Sequence, residues 1–198
     1  MRIVLTDFMS LDGVVQAPGG AEEDTDGGFA HGGWSGPYFD TEAMSAFIDG
    51  GMENAEALLF GRRTWRVMAD AWPARAGDDP FADRMNALPK HVASRTLAPA
   101  DMEWNSTLLP ADDVFGAVDR LRKEGEGDIH VWGSSDFARQ LVAHDLVDEY
   151  RMMIEPVLLG GGKRIFPEDG RARPLRLVST RTASTGVLLC VYRPDSAG

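Results

Sequence analysis

The sequence predicts an α/β domain with three layers, α/β/α, whose central sheet is mostly parallel and ends in a C-terminal antiparallel hairpin. Short apolar runs alternate with segments whose apolar residues recur at helical spacing, which is typical of parallel strands joined by crossover helices. The last two strand-like runs, 175–182 and 187–192, are separated by a turn at Gly186. The length of 198 residues and the apolar fraction of 43% suit a single domain, residues 1–198, with a large core.

Each element expected in the first half of the sequence has a local signal. The strands are short apolar runs, at residues 3–5, 57–60 and 91–93. The helices combine an apolar face with an N-terminal signal, and they begin at Thr41, Thr64 and Asp79-Pro80. Gly50-Gly51 is expected to end the first helix, because glycine favours helix C-termini. The second helix is expected to bury Trp65 and Met68.

A long loop is expected at residues 18–37, which contain seven glycines together with several acidic residues. A connector of this length and composition is uncommon in a compact domain, so we expect a functional or mobile loop rather than a domain linker. Trp34, Tyr38 and Phe39 suit two roles: they can close over a flat ligand ring or anchor the loop to the body of the protein.

The second half of the sequence continues the alternation of strands and helices. A helix capped by Asp112 or Asp113 is followed by expected strands at 129–132 and 150–154. Between these two strands, Gly133-Ser134-Ser135 forms a turn into a helix. The apolar face of that helix consists of Phe137, Ala138, Leu141 and Val142.

Composition limits the classes of function. The formal net charge of −11 argues against nucleic acid or an anionic membrane as a partner, because both attract basic surfaces. Cys190 is the only cysteine, which excludes an intrachain disulfide and a cysteine-based metal cluster. The sequence shows no signal-peptide pattern and no apolar stretch of membrane-spanning length, so we expect a cytoplasmic protein.

The segment LLFGRRTW, residues 58–65, places two arginines between an apolar run and a helix. The first turn of a helix carries a partial positive charge, so Arg62 and Arg63 are electrostatically disfavoured there. No lysine or arginine occurs between Arg2 and Arg62, whereas eleven acidic residues do. An anion from outside the protein would resolve this conflict.

Two segments, 58–64 and 131–135, share the order of buried strand, small-residue turn and helix. Ligands of open α/β sheets bind at the carboxyl ends of strands, where the N–H groups of helix N-termini attract anions. Ser94-Arg95 follows a third expected strand and suits a ribose 2′-phosphate, which guanidinium and hydroxyl groups bind well. The alternatives are ordinary capped turns and a solvated loop arginine.

Several other motifs fail on inspection. Gly160-Gly161-Gly162-Lys163 is not a P-loop, because Val157 stands at the required first glycine and Arg164 stands where serine or threonine belongs. The four histidines, His31, His91, His130 and His144, lack metal-site spacing. No GxSxG motif is present, which argues against a nucleophilic hydrolase of that type.

Six short segments occur in an order and spacing that are specific when taken together. They are Ser10-Leu11-Asp12-Gly13, Gly61-Arg62-Arg63-Thr64-Trp65, Ser94-Arg95, Trp132-Gly133-Ser134-Ser135, Asp148-Glu149-Tyr150 and the run from Pro156 to Gly162. This pattern resembles the dihydrofolate reductase-like superfamily over nearly the whole chain. Within it, the chain is most similar to the reductase (C-terminal) domain of bacterial riboflavin-biosynthesis deaminase-reductases and its stand-alone relatives. The resemblance implies a dihydrofolate reductase-like fold.

The resemblance also implies NADPH as the cofactor and identifies it as the anion that the arginines require. The segment 61–64 matches the family's contacts to the NADPH phosphates. The Ser94-Arg95 pair matches the region that holds the 2′-phosphate, and the segment 133–135 matches the contacts near the pyrophosphate and the nicotinamide. The implied cofactor-binding residues are Gly61, Arg62, Arg63, Thr64, Ser94, Arg95, Gly133, Ser134 and Ser135.

On the substrate side, Asp12 is the first candidate for orienting substrate or passing a proton, because it lies in the early loop that faces the family's active site. The alternative for Asp12 is a turn residue that stabilises Asp-Gly geometry. Ser10, Trp34 and Asp40 are further predicted substrate-binding residues. True dihydrofolate reductases carry an acid on the first long helix, near the position of Asp40 and Glu42 here.

The resulting hypothesis is an enzyme that transfers a hydride from NADPH to a small heterocyclic or ribosylamino-pyrimidine-like substrate, with a homodimer implied by the resemblance. Two features depart from the riboflavin-pathway deaminase-reductases: Trp132-Gly133-Ser134 replaces the usual Glu-Gly-Gly, and these 198 residues do not include the zinc-binding histidine and cysteines of a deaminase domain. The alternatives are a dihydrofolate or pterin reductase, which requires a buried acid against the pterin ring, and a non-catalytic NADP-binding protein.

Overall fold

The computed structural model describes residues 1–195 and confirms the predicted α/β class. Its strands are β1 (Arg2–Ser10), β2 (Ala55–Gly61), β3 (Lys90–Ala93), β4 (Ser106–Leu108), β5 (Asp128–Trp132), β6 (Glu149–Glu155), β7 (Leu175–Thr182) and β8 (Leu188–Pro194). Its α-helices are α1 (Thr41–Met52), α2 (Arg62–Ala71), α3 (Pro80–Ala87), α4 (Val114–Lys123) and α5 (Ser135–Ala143).

The eight strands form one sheet in the order β4-β3-β2-β5-β1-β6-β8-β7. The first five pairings in this order are parallel, and the pairings of β6 with β8 and of β8 with β7 are antiparallel. The carboxyl ends of β1, β2, β3, β5 and β6 therefore meet at one edge of the sheet. The predicted C-terminal hairpin is confirmed as β7 and β8.

Helices cover both faces of the sheet, as predicted. Helices α4 and α5 bury Val118 and Leu141 against Ile3 and Ile129 on one face. On the other face, α1, α2 and α3 bury apolar side chains such as Trp65 against β2 and β3. In β2, Ala57 and Leu59 pack into one core and Leu58 and Phe60 into the other, which explains why this strand is apolar without a break from residue 57 to residue 60.

The expected end of α1 was wrong. The helix continues through Gly50 and Gly51 to Met52. Gly51 is buried, and a Cβ there would lie 2.6 Å from the Arg151 Nε atom, so close packing requires this glycine. Thr41, which suits the N-cap position by its residue type, is instead the first residue of the helix, because Asp40 caps α1 by accepting a 2.9 Å hydrogen bond from the Ala43 N–H.

Helix α2 begins at Arg62 rather than at Thr64, with Gly61 as its N-cap residue. Both arginines and Thr64 therefore form its first turn. Trp65 is buried as expected, whereas Met68 is only half-buried. Asp113 precedes α4 but makes no capping hydrogen bond, and its carboxylate instead pairs with Arg120 at 2.8 Å.

Strand β4 was not predicted, because Ser106-Thr107-Leu108 is short and largely polar. It pairs in parallel with β3 at one edge of the sheet. The Trp65 Nε1–H donates a 2.9 Å hydrogen bond to the Ser106 Oγ, which ties the strand to α2. Non-local pairing rather than local pattern defines this element.

Strand β7 forms the opposite edge, and all eight of its residues are exposed. Leu177 is 51% exposed and Val178 41%, although both are apolar. An exposed edge strand with apolar side chains on both faces is uncommon in a monomer.

Candidate functional site

A cleft of about 1050 Å³ opens at the carboxyl ends of the parallel strands. Its walls come from the end of β1, the β2–α2 and β5–α5 turns, the segment after β3, and the loop 18–37. The cleft brings together all nine predicted cofactor-binding residues: Gly61, Arg62, Arg63, Thr64, Ser94, Arg95, Gly133, Ser134 and Ser135. Strands far apart in sequence thus place these residues around one space.

The two strand-to-helix turns are joined directly. The Gly61 N–H donates a 2.9 Å hydrogen bond to the Ser134 Oγ. Gly133 and Ser134 both have positive φ angles, 55° and 62°, which turns the backbone sharply into α5. The backbone N–H groups at the start of α5 therefore face the cleft that Gly61 and Thr64 line, as an anion-binding turn requires.

The arginines of the cleft differ in their partners. Within residues 1–195, Arg62 and Arg95 form no ion pair and no side-chain hydrogen bond, and both are exposed. Arg63 instead pairs with Asp24 at 2.8 Å and with Asp26 at 2.5 Å. Arg62 and Arg95 are thus the cationic groups of this cleft whose charge is free to meet a ligand.

Ser94 is buried, and its Oγ accepts hydrogen bonds from the Thr96 and Leu97 N–H groups at 3.1 and 3.0 Å. These bonds hold the turn after β3 and present Arg95 at the cleft wall. The Ser94 hydroxyl hydrogen remains available as a donor toward the cleft.

Sequence reasoning missed Asp7, a carboxyl group in β1 that lines the cleft. Asp7 is only 3% exposed, and its Oδ2 has no hydrogen-bond partner within the described residues. Burial raises the pKa of Asp7 well above its ordinary value, and the negative charge of Glu23 raises it further. The available signal was an acidic residue close to the apolar run of the first expected strand, residues 3–5.

Asp12 and Ser10 do not line the cleft. The Asp12 carboxylate accepts hydrogen bonds from the Ser10 Oγ at 2.6 Å, the Leu159 N–H at 3.1 Å and the Gly160 N–H at 2.8 Å. These bonds, the one from Ser10 above all, lower the pKa of Asp12 to about 2. Ser10 also accepts from the Val14 N–H at 2.9 Å. Both residues stabilise the turn after β1 and its contact with the glycine run.

Trp34 and Asp40 also lie outside the cleft lining. Trp34 is buried, and its Nε1–H donates a 2.8 Å hydrogen bond to the Gln16 carbonyl, which anchors the loop 18–37. Asp40 caps α1 and accepts hydrogen bonds from the Ser184 N–H and Oγ at 2.8 and 2.6 Å. Phe39, next to Asp40, does line the cleft.

The loop 18–37 forms the mouth of the cleft and supplies several of its lining residues: Pro18, Gly19, Glu23, Asp24, Ser35 and Gly36. Ser35 donates a 2.6 Å hydrogen bond to Glu155, whose other oxygen has no partner among residues 1–195. Burial raises the pKa of Glu155 to about 7. The loop is therefore attached to the sheet by buried polar contacts.

Two further properties concern only the part of the chain that the structure describes. It contains no group of three or more histidine, cysteine, aspartate or glutamate side chains arranged to hold a metal ion. None of its helices is both long and apolar enough to cross a bilayer.

Comparison with known proteins identifies related sequences and folds. The family model described as RibD C-terminal domain matches residues 2–189. The Bacillus subtilis (strain 168) protein YyaP, itself uncharacterized, is 28% identical over 200 residues, which cover 96% of this chain and 94% of the relative.

Two solved structures share the fold. A protein of Shewanella sp. PV-4 assigned to riboflavin biosynthesis superposes with a TM-score of 0.66 at 19% identity, covering 98% of this chain and 99% of that one. A pyrimidine reductase-like protein of Corynebacterium diphtheriae gives a TM-score of 0.64 at 15% identity, covering 98% and 92%. The overlap extends over almost the full length of each chain.

Proposed function

The chain belongs to the RibD C-terminal domain family, and from that premise we propose that it is an NADPH-dependent reductase of the riboflavin-pathway type. Its substrate is a small heterocyclic or ribosylamino-pyrimidine-like compound, of the kind reduced by 5-amino-6-(5-phosphoribosylamino)uracil reductases. The description of one structural neighbour as pyrimidine reductase-like supports this class of substrate.

The observation that carries the proposal is a cleft in which two arginines have no partner among residues 1–195, in a protein of net charge −11. Arg62, at the first turn of α2, suits the pyrophosphate of a dinucleotide. Arg95 and the Ser94 hydroxyl suit the 2′-phosphate that distinguishes NADPH from NADH. Bound NADPH supplies the hydride, whereas the protein positions the two reactants and excludes water.

We propose Asp7 rather than Asp12 as the acid of the site. All the hydrogen bonds of the Asp12 carboxylate are made to the turn after β1 and the glycine run, whereas the Asp7 Oδ2 has no partner in the described chain. Because burial raises its pKa, Asp7 holds a proton that it can donate to a substrate nitrogen next to the carbon that accepts the hydride.

A second candidate function is the reduction of a pterin ring, and Asp7 is the observation that favours it. A pterin reductase requires a buried acid against the ring, and Asp7 is a buried acid in the cleft.

We also propose that the protein forms a homodimer through β7. Two copies of an exposed edge strand can pair about a twofold axis, which satisfies their backbone groups and buries apolar side chains such as Leu177.

Titration of the purified protein with NADPH and NADH at low salt tests the cofactor. We expect the wild-type protein to bind NADPH more tightly than NADH. Arg62→Ala should bind NADPH about 10- to 150-fold more weakly, because it loses one charge-assisted hydrogen bond. Arg66→Ala is the matched control, because Arg66 lies one turn along α2 and outside the cleft lining. Equal binding of NADPH by wild type and Arg62→Ala would contradict the proposal.

Oxidation of NADPH then separates the two candidate functions. Turnover with the ribosylamino-pyrimidine and not with dihydropterin supports a reductase of the riboflavin-pathway type. The reverse result supports a pterin reductase.

A further inference from the structure

Two acidic side chains of the loop 18–37 bind the same two cations. Asp24 pairs with Arg63 at 2.8 Å and with Lys163 at 2.6 Å, and Asp26 pairs with Arg63 at 2.5 Å and with Lys163 at 2.8 Å. Arg63 and Lys163 come from different elements, the start of α2 and the segment after β6. Four ion pairs therefore connect opposite walls of the cleft.

The strand order of the sheet places the ion-pair cluster of Asp24, Asp26, Arg63 and Lys163 next to the other residues of the cleft. Strands β5 and β1 lie between β2 and β6, so the ends of β2 and β6 are about 14 Å apart at ordinary strand spacing. The long side chains of Arg63 and Lys163 reach into this gap, and their terminal nitrogens meet at the Asp26 Oδ2 atom, 2.5 and 2.8 Å away. Gly133 and Asp7, whose Oδ2 atom has no hydrogen-bond partner among residues 1–195, line the cleft near those strands.

The backbone of the loop is held independently of these ion pairs. The buried Gln16 side chain donates 3.0 Å hydrogen bonds to the carbonyl groups of both Asp24 and Asp26, and it accepts one from the Lys163 N–H. The two carboxylates can therefore leave Arg63 and Lys163 by side-chain rotation while the Gln16 contacts stay in place. Rotation of Asp24 gives up one further hydrogen bond, the 3.2 Å bond that its carboxylate accepts from the Asp26 N–H.

The charges of the cluster match those of a phosphate group. Two carboxylates neutralise two cations, and a phosphate dianion carries the same total charge as the carboxylates it would replace. Arg63 uses only its Nη1 atom for both carboxylates, so Nε and Nη2 remain available. A phosphate can therefore neutralise Arg63 and Lys163 in place of the two carboxylates, which then turn toward solvent.

We propose that Arg63 and Lys163 form a phosphate-binding site that the chain's own Asp24 and Asp26 fill in the free protein, so that a phosphate-bearing ligand binds by displacing them. The phosphate comes either from the dinucleotide or from the acceptor substrate. The inference depends on the proposed function only in naming the dinucleotide as one of these two sources.

The double variant Asp24→Asn/Asp26→Asn tests the proposal, since it keeps the shape of both side chains and removes their charge. Isothermal titration measures the affinity for three probes: NADPH, inorganic pyrophosphate, and ribose 5-phosphate in the presence of NADPH. We expect affinity to rise at least about tenfold for NADPH and pyrophosphate if the site binds the dinucleotide, and for ribose 5-phosphate if it binds the substrate. Unchanged or weaker binding of all three probes overturns the proposal.

Two further variants separate a specific effect from a change in total charge. Asp78→Asn/Asp119→Asn removes two exposed carboxylates that pair with Arg75 and Lys123 outside the cleft lining. We expect it to leave all three affinities unchanged. Adding Lys163→Met to Asp24→Asn/Asp26→Asn is expected to abolish the gain, and retention of the gain would contradict a role for Lys163. The single variants Asp24→Asn and Asp26→Asn replace the double variant should it fold poorly.

The same titrations distinguish failure of this inference from failure of the proposed function. If Asp24→Asn/Asp26→Asn gains affinity for pyrophosphate or ribose 5-phosphate and no variant binds NADPH, the result supports the phosphate site and contradicts the proposed reductase function. Binding of NADPH by wild type with no gain in Asp24→Asn/Asp26→Asn for any probe supports the reductase and contradicts the phosphate site.

Discussion

The Ser134 Oγ accepts a 2.9 Å hydrogen bond from the Gly61 N–H, although the two residues are 73 positions apart. Ser134 adopts a left-handed conformation, with φ of 62°, and it makes no capping bond to its own helix α5. A Cβ at Gly61 would lie 3.2 Å from the Phe137 Cβ, so the two turns are also in close contact. This pair therefore sets the spacing between the β2–α2 turn and the β5–α5 turn, which both line the cleft.

Replacing Ser134 by alanine removes this connection. We expect Ser134→Ala to lower the free energy of unfolding by about 1 kcal/mol, because the Gly61 N–H loses its partner. The affinity for NADPH should fall as well, since the two turns no longer hold their spacing. Urea denaturation and nucleotide titration measure the two effects. Ser135→Ala is the control for stability, and an equal loss in both variants would contradict this role for Ser134.

Arg95 is expected to discriminate between the two nicotinamide dinucleotides. Arg95→Ala should weaken NADPH binding by about 10-fold or more and leave NADH binding unchanged, because only NADPH carries the 2′-phosphate. Parallel titrations with both nucleotides measure the ratio. Equal loss for NADPH and NADH would place Arg95 at another part of the dinucleotide.

Asp7 is expected to lower the stability of the folded protein and to be required for activity. Burial raises its pKa, so folding favours the protonated form and Asp7 destabilises the protein increasingly as the pH rises above about 4, the ordinary pKa of aspartate. Asp7→Asn should therefore unfold at higher urea concentration than wild type at pH 8. Turnover should fall by about 100-fold or more, since the proton donor is lost. Full turnover by Asp7→Asn across the pH range would exclude Asp7 as the acid.

Glu155 is expected to make stability depend on pH between about 4.5 and 7. Burial raises its pKa to about 7, so in this window the folded protein holds a proton that the unfolded chain has released. Stability should then fall as the pH rises through the window, by at most about 3 kcal/mol for this group. Urea denaturation at pH 5 and pH 8 should show a smaller decrease in Glu155→Gln than in wild type. Identical decreases in the two proteins would show that Glu155 titrates normally.

The edge strand β7 is expected to be the dimer interface. Leu177→Asp places a charge on an exposed apolar position of that strand and should shift the protein from dimer to monomer. Sedimentation velocity at several concentrations measures the shift. Leu158→Asp is the control, because Leu158 is 71% exposed and lies outside β7. A wild-type protein that sediments as a monomer would remove the basis of this prediction.

The sequence predicted most strands and helices because their signals are local: apolar periodicity, capping residues, and glycines at turns. It failed at α1, which continues through Gly51 because the glycine leaves room there for the Arg151 side chain, and at β4, whose three residues carry no pattern of their own. Both exceptions depend on contacts between residues far apart in the sequence.

The same distinction separates the parts of the candidate site. The residues of the two turns and of Ser94-Arg95 were predicted from the sequence, and their roles in binding NADPH stay predictions that the titrations test. The sequence also predicted that an external anion meets Arg62 and Arg63. It did not show that Arg63 has one within the chain, because Asp24 and Asp26 reach it only through the folding of a loop nearly 40 residues earlier.

The sequence by itself determined the fold class, the order of the elements and the residue types at the strand ends, because short-range patterns encode them. Only the tertiary structure decided which of those residues are free to bind a ligand. The Asp12 carboxylate accepts a hydrogen bond from the N–H of Gly160, 148 positions away, whereas the Asp7 Oδ2 has no hydrogen-bond partner in the described chain. Hydrogen bonds and ion pairs of this range depend on the register of the sheet, which no local pattern specifies.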